Sequence, residues 1–156
     1  MTEPTPLSPA DHIEIQQLYA KYCFALDTGD GPGRAAVFTP DGTFTADITG
    51  YRPDPVQGMM ERTSRTGNKG SRHLIMNIVL TPTPEGAAGR AYALILADGE
   101  HDAMGDRDLR GKSGFYVDTL VRTPAGWRFR TREFWRDCDA GSPFRRGAPP
   151  APMPWR

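Results

Sequence analysis

The chain has 156 residues, of which 38% are hydrophobic and 24% are charged, and these values fit one soluble globular domain. Its 19 Lys and Arg residues balance 19 Asp and Glu residues, which removes the electrostatic basis for binding nucleic acid or an anionic membrane. The sequence shows no signal peptide and no apolar run that could span a membrane, so we expect a cytoplasmic protein.

The first helix has clear signals at both ends. Residues 1–7 are predicted to form a disordered lead-in, after which Ser8 can cap the helix and Pro9 suits its first turn. The helix is expected to end near Thr28, with Gly29 as its left-handed stop. Apolar residues recur at three- and four-residue steps and form one stripe, which consists of Ile15, Leu18, Tyr19, Tyr22 and Leu26.

The rest of the chain passes from short helices to long strands. The predicted elements are helices over 33–38 and 56–64, a turn over 39–42, and strands over 43–48, 72–81, 89–97, 112–123 and 127–135. A polar connection over 98–110 and a Pro-rich tail over 139–156 lack a regular pattern. Helices followed by an antiparallel meander predict an α+β domain over residues 8–138, with the helices on one face of a curved sheet.

His73 lies at the start of a long predicted strand. Strict alternation places His73, Ile75, Asn77 and Val79 on one face and Leu74, Met76, Ile78 and Leu80 on the other. The second set is wholly apolar and predicts core, whereas the first set mixes polar and apolar groups as a ligand pocket does. The alternative is a buried histidine with ordinary hydrogen bonds and no role in a reaction.

Asp27 lies near the C-terminal end of the first helix, where the helix dipole disfavours a carboxylate. This position indicates either a functional carboxylate or a solvated helix-end residue. Tyr22 precedes it by five residues, so the two side chains diverge by about 140° around the helix and could share a cavity only at its rim and wall.

Two further groups of polar residues favour structural roles. The segment around His101 has neither calcium-loop nor zinc-site spacing, so we expect no metal there and predict a surface loop or a pocket lid. Four arginines on the last strand, Arg128, Arg130, Arg132 and Arg136, share one face under strict alternation. They predict a solvated or subunit-facing edge, from which one arginine could bind a substrate carboxylate or carbonyl.

Several short segments, taken in their order and spacing, resemble the SnoaL-like proteins of the nuclear-transport-factor-2-like superfamily. The segments are 15–22, 25–30, 38–42, 71–73 with Asn77, 114–118 and 126–129. The resemblance covers about residues 9–136. It implies a cone-shaped, mostly antiparallel sheet with N-terminal helices packed over it, enclosing one pocket.

The resemblance also implies a catalytic pair. In scytalone dehydratase, bile-acid dehydratase and hexachlorocyclohexane dehydrochlorinase, which eliminate without a cofactor, an Asp at the end of the first helix pairs with a His on the first long strand. Asp27 and His73 match these positions, and Tyr22 matches a tyrosine of the bile-acid enzyme. We therefore expect His73 to act as the base, Asp27 as its partner and Tyr22 as a hydroxyl donor, with no cofactor.

Five further residues are expected to bind substrate. Tyr116 and Asp118 lie on the strand that supplies polar groups in scytalone dehydratase, and Arg132 falls where the dehydrochlorinase has a pocket arginine. Asn77 follows His73 on its strand, where it either lines the pocket or bonds to backbone, and Tyr92 lies on the next strand. That strand has no second histidine like the one in scytalone dehydratase, so the same substrate is not expected.

The leading hypothesis is a dehydratase-like lyase that acts on a hydrophobic oxygenated small molecule. The second is an isomerase or polyketide-type cyclase that uses the same Asp27 and His73 pair. The third is a non-catalytic module like the small subunit of ring-hydroxylating dioxygenases. A cavity filled by side chains, with Asp27 and His73 far apart, would favour this third hypothesis. By resemblance we expect a homotrimer or a homodimer.

Overall fold

Three helices and six strands build the fold in residues 4–67, 70–97 and 110–138, which are the residues described by the computed structural model. The helices are α1 (Pro9–Thr28), α2 (Gly31–Ala36) and α3 (Val56–Thr66). The strands are β1 (Phe38–Thr45), β2 (Asp54–Pro55), β3 (Arg72–Thr83), β4 (Gly86–Ala97), β5 (Arg110–Thr123) and β6 (Gly126–Arg136).

One sheet has the strand order β2-β1-β6-β5-β4-β3, and it is antiparallel except where β1 runs parallel to β6. Helix α1 packs on β3 and β6, and α3 packs on β1. The predicted α+β class with a mostly antiparallel sheet is therefore confirmed. No helix in the described part of the chain combines the length and apolarity needed to cross a bilayer.

The ends of α1 agree with the predicted signals. The Ser8 hydroxyl accepts a hydrogen bond from the Asp11 N–H, and the Asp11 carboxylate accepts one from the Ser8 N–H in return. Gly29 ends the helix in the left-handed conformation, with φ at 76°. The last turn carries no basic residue, so Asp27 stands there without a neighbouring cation on its own helix.

Several predicted boundaries shift for local reasons. Helix α2 begins before the predicted 33–38, because the Asp30 carboxylate caps it by accepting a hydrogen bond from the Gly33 N–H. The predicted turn over 39–42 lies inside β1, which bulges there between its pairings with Phe129 and Thr131. The predicted 98–110 connection, except for its last residue, and the 139–156 tail lie outside the described residues.

A β-bulge in β3 breaks the predicted alternation, so the predicted core face holds only after the bulge. The register with β4 shifts between Met76 and Val79, and Asn77 adopts a left-handed backbone with φ at 56°. Before the bulge, Leu74 and Met76 are 41% and 40% exposed, so the prediction that they are core is wrong. After it, the extra residue turns Ile78 and Leu80 onto the core, and Asn77 itself is exposed.

A bulge in β6 turns Arg132 inward. Leu120 pairs with Phe129 and Thr119 pairs with Thr131, so Arg130 is the extra residue on β6. Phe129 and Arg132 therefore face the same side of the sheet, and both are fully buried. The predicted solvated edge is wrong for Arg132, whereas Arg130 is exposed and forms an ion pair with Glu85 at 3.2 Å.

Arg132 lies in a polar cluster within the aromatic core. Its Cζ is 3.7 Å from the centre of the Tyr116 ring and 4.2 Å from that of Tyr22. Asp118 Oδ1 lies 3.5 Å from Arg132 Nε, and the Tyr19 hydroxyl donates to Asp118 Oδ2 at 2.5 Å. Burial raises the pKa of Asp118 to about 6, although Arg132 and the Tyr19 hydroxyl act to lower it.

The left-handed backbone at Asn77 predicts that glycine is tolerated better than valine at this position. Asn77→Gly should leave the free energy of unfolding within about 0.5 kcal/mol of wild type, because glycine adopts this conformation freely. Asn77→Val should lower it by about 1–2 kcal/mol, because a β-branched side chain is strained there. Urea unfolding measures both, with Met76→Val as the exposed extended-backbone control. Equal stability of the Gly and Val variants would contradict the assignment.

The buried ion pair between Asp118 and Arg132 predicts that removing either partner destabilises the protein, but by unequal amounts. Asp118→Asn should destabilise the protein by about 3–5 kcal/mol at pH 7, because Arg132 cannot lose its charge. Arg132→Met should cost less, because Asp118 can take up a proton and keep its bond to Tyr19. The double variant should regain most of the stability that Asp118→Asn alone loses. Urea unfolding at pH 7 tests this double-mutant cycle, and additive losses would refute the coupling.

Candidate active site

A cavity of about 510 Å³ opens between the helices and the sheet. Its walls are largely apolar, with polar groups from several different elements converging on it. The lining residues are Tyr22, Leu26, Arg34, Phe44, Ala46, Asp47, Ile48, His73, Ile95, Lys112, Tyr116, Phe134 and Arg136. Such a lining suits a small molecule with an apolar body and a few oxygen atoms.

Asp27 and His73 are in contact, the carboxylate beside the cavity and the imidazole on its wall. Asp27 Oδ1 lies 2.5 Å from His73 Nδ1, and Asp27 Oδ2 accepts a hydrogen bond from the His73 backbone N–H at 3.0 Å. The carboxylate therefore bonds both the ring and the backbone of the strand residue. In the neutral ring, a hydrogen bond to this carboxylate requires the proton on Nδ1, which leaves the lone pair on Nε2.

His73 is suited to accept a proton. Burial lowers the pKa of its imidazole below the ordinary value of 6.5, and nearby Arg34 and Arg132 lower it further. The hydrogen bond and charge of Asp27 oppose this effect without reversing it. The imidazole is therefore mainly neutral at pH 7.

Two tyrosines form part of the same wall. Tyr22 is fully buried against the cavity, and its hydroxyl oxygen accepts a hydrogen bond from Arg34 Nη2 at 3.1 Å. A hydroxyl that accepts from a guanidinium keeps its own hydrogen for another acceptor. Burial raises the pKa of Tyr116 well above 10, so its hydroxyl stays protonated.

Arg34 is a cavity residue that the sequence did not reveal. It is 2% exposed, and its Nη1 donates to Thr63 Oγ1 at 2.9 Å, which ties α2 to α3. Its Cζ lies 4.7 Å from the centre of the Phe44 ring. A single arginine on a six-residue helix is usually solvated, so no local pattern marks this one as buried.

Four of the five predicted substrate-binding residues lie outside the cavity lining. Asn77 is exposed on the β3 bulge, and Tyr92 is 44% exposed on the outer face of the sheet. Asp118 and Arg132 are buried behind the tyrosines. Only Tyr116 lines the cavity as expected. Asn77 is turned outward at the β3 bulge, whereas Tyr92 alternates with the buried Ala91 and Ala93 and therefore faces the other side of the sheet.

Within the described residues, no three His, Cys, Asp or Glu side chains cluster in a way that could hold a metal ion. No ligand set for a metal can therefore be named in that part of the chain. The segment that contains His101 lies outside the described residues.

Solved structures with a similar fold come from several bacteria. Rv3472 of Mycobacterium tuberculosis, a protein of unknown function, is 27% identical, has a TM-score of 0.66 and aligns over 85% of this chain and 78% of its own. ActVI-ORFA of Streptomyces coelicolor is 23% identical with a TM-score of 0.68, over 82% and 98% of the two chains. A candidate scytalone dehydratase of Novosphingobium aromaticivorans is 20% identical with a TM-score of 0.65, over 81% and 84%.

The family assignment rests on the sequence. No curated protein matches the chain significantly. The family model described as a SnoaL-like domain matches residues 9–133, which cover every helix and strand of the described fold except the last three residues of β6. The chain therefore belongs to the SnoaL-like domain family.

Proposed function

We propose that this protein is a cofactor-free acid–base enzyme that eliminates water from a hydrophobic oxygenated small molecule. The observation that carries the proposal is the contact between Asp27 and the ring of His73 on the wall of a 510 Å³ cavity. A neutral imidazole held by a carboxylate is suited to take a proton from a carbon beside a carbonyl group.

The proposed reaction uses three side chains. His73 Nε2 takes the proton from the substrate carbon, and the Asp27 carboxylate stabilises the imidazolium that forms. The Tyr22 hydroxyl donates a hydrogen bond to the oxygen on which negative charge develops. The imidazolium then returns the proton to the departing hydroxide, so water and an unsaturated product leave the cavity. Such acid–base assistance supplies a rate factor of about 100 to 10,000.

The rival hypotheses differ in observable ways. An isomerase or cyclase would share the first proton transfer, but it would exchange solvent deuterium into substrate without loss of water. The open cavity and the contact between Asp27 and His73 argue against a non-catalytic scaffold module.

Substitution of the pair tests the proposal directly. His73→Ala and Asp27→Asn should each lower kcat by a factor of about 100 to 10,000 on aromatic β-hydroxy ketones, because each removes part of the proton transfer. Enone formation followed by absorbance measures the rate. Arg130→Ala, at an exposed position outside the cavity, is the control and should match wild type. Unchanged turnover in both pair variants would refute the acid–base function.

The lowered pKa of His73 predicts the pH dependence of kcat/KM. Activity needs the neutral imidazole, so kcat/KM should rise with pH, with a midpoint below 6.5, and be level between about pH 7 and 8. Asp27→Asn removes the group that raises this pKa, so the midpoint should move to lower pH. An NMR titration of the His73 ring provides a measurement that is independent of turnover. A midpoint above 6.5 would contradict the electrostatic account.

A further inference from the structure

Arg34 lines the cavity, is deeply buried and has one guanidinium nitrogen without an acceptor among the described residues. Its two terminal nitrogens donate to Thr63 and Tyr22, but Nε has no acceptor within the described part of the chain. Because Arg34 is 2% exposed, bulk water does not readily accept the hydrogen bond that Nε could donate. An unsatisfied buried N–H of a charged group is costly unless a ligand supplies the missing acceptor.

The positive charge of Arg34 also lacks an anionic partner. Among the described residues, no carboxylate forms an ion pair with its guanidinium. The Phe44 and Tyr22 rings, at 4.7 and 5.3 Å from Cζ, provide cation–π stabilisation, which is weaker than a paired charge. Burying a cation without a counter-charge is unfavourable, so the site is built to receive negative charge.

The acidic groups near the cavity are already engaged elsewhere. Asp27 is bonded to His73, and Asp47 forms an ion pair with Arg136 at 3.2 Å. Lys112 adds another cation to the lining. Positive side chains therefore outnumber negative ones in the lining, and Arg34 is the buried cation among them.

We propose that Arg34 binds an anionic oxygen of the substrate, a carboxylate or a phenolate, through the guanidinium N–H groups that Thr63 and Tyr22 do not take up. This inference rests on the proposed function, because it places the anionic group in the cavity that His73 faces. Leu26, Phe44, Ile95 and Phe134 enclose the apolar body of the same molecule. The substrate class is thus an acid or a phenol with an apolar body.

Matched ligands that differ only in charge test the inference. Isothermal titration at pH 8, where His73 is neutral, compares 2-naphthoate with its uncharged analogue 2-naphthamide. Wild type should prefer the naphthoate, and Arg34→Met should reduce this preference about 10- to 100-fold without weakening naphthamide binding. Arg34→Lys keeps the charge but loses the planar fork, so it should retain part of the preference. If Arg34→Met does not fold, the Arg34→Lys result decides.

Two control variants separate binding of the anion from folding and from catalysis. Thr63→Val removes the link between α2 and α3 but leaves the charge, so the preference for naphthoate should remain. His73→Ala should also keep the preference, because the acid–base step is not needed for binding. Equal wild-type affinity for the two ligands, no naphthoate binding, or an unchanged preference in Arg34→Met and Arg34→Lys would overturn the inference. Failure of the proposed function would appear separately, as unchanged turnover in His73→Ala and Asp27→Asn.

Discussion

The contact between Asp27 and His73 joins the helical layer to the sheet. The carboxylate stands in the last turn of α1, where the helix dipole makes a negative charge unfavourable. Hydrogen bonds from the backbone N–H and ring Nδ1 of His73 offset this cost. Because one carboxylate holds both the start of β3 and the imidazole, local folding and the orientation of the proposed base depend on the same residue.

The β-bulges in β3 and β6 determine what lies behind this pair. The bulge at Arg130 turns Arg132 toward the rings of Tyr22 and Tyr116. The bulge at Asn77 lets the apolar residues that follow it on β3 face the core. Close packing of aromatic rings around a buried guanidinium leaves little freedom for the tyrosines. The floor of the cavity is therefore a rigid layer, and Asp118 keeps its buried charge compensated.

Sequence reasoning was most successful where the signals are local. The caps of α1 follow from Ser8 and Gly29, and the position of Asp27 at a helix end marked it as unusual before any fold was known. Tertiary features were missed because a bulge shifts the two-residue period of a strand without leaving a clear trace in composition. Asn77 and Arg132 were therefore misplaced, and Arg34 went unnoticed because its burial depends on α1 and α3.

The charges around His73 explain why the carboxylate and the arginines occur together. Arg34 and Arg132 favour negative charge in the cavity, but the same field weakens the imidazole as a base by lowering its pKa. Asp27 acts in the opposite direction from the far side of the ring, through a hydrogen bond and its charge. With the arginines but without Asp27, the site would hold an anion beside an imidazole that is a poor base. With Asp27 but without the arginines, the imidazole would be a better base, but a developing oxyanion would be less stabilised. In the proposed reaction, their combination would serve both proton removal and charge stabilisation in the same small cavity.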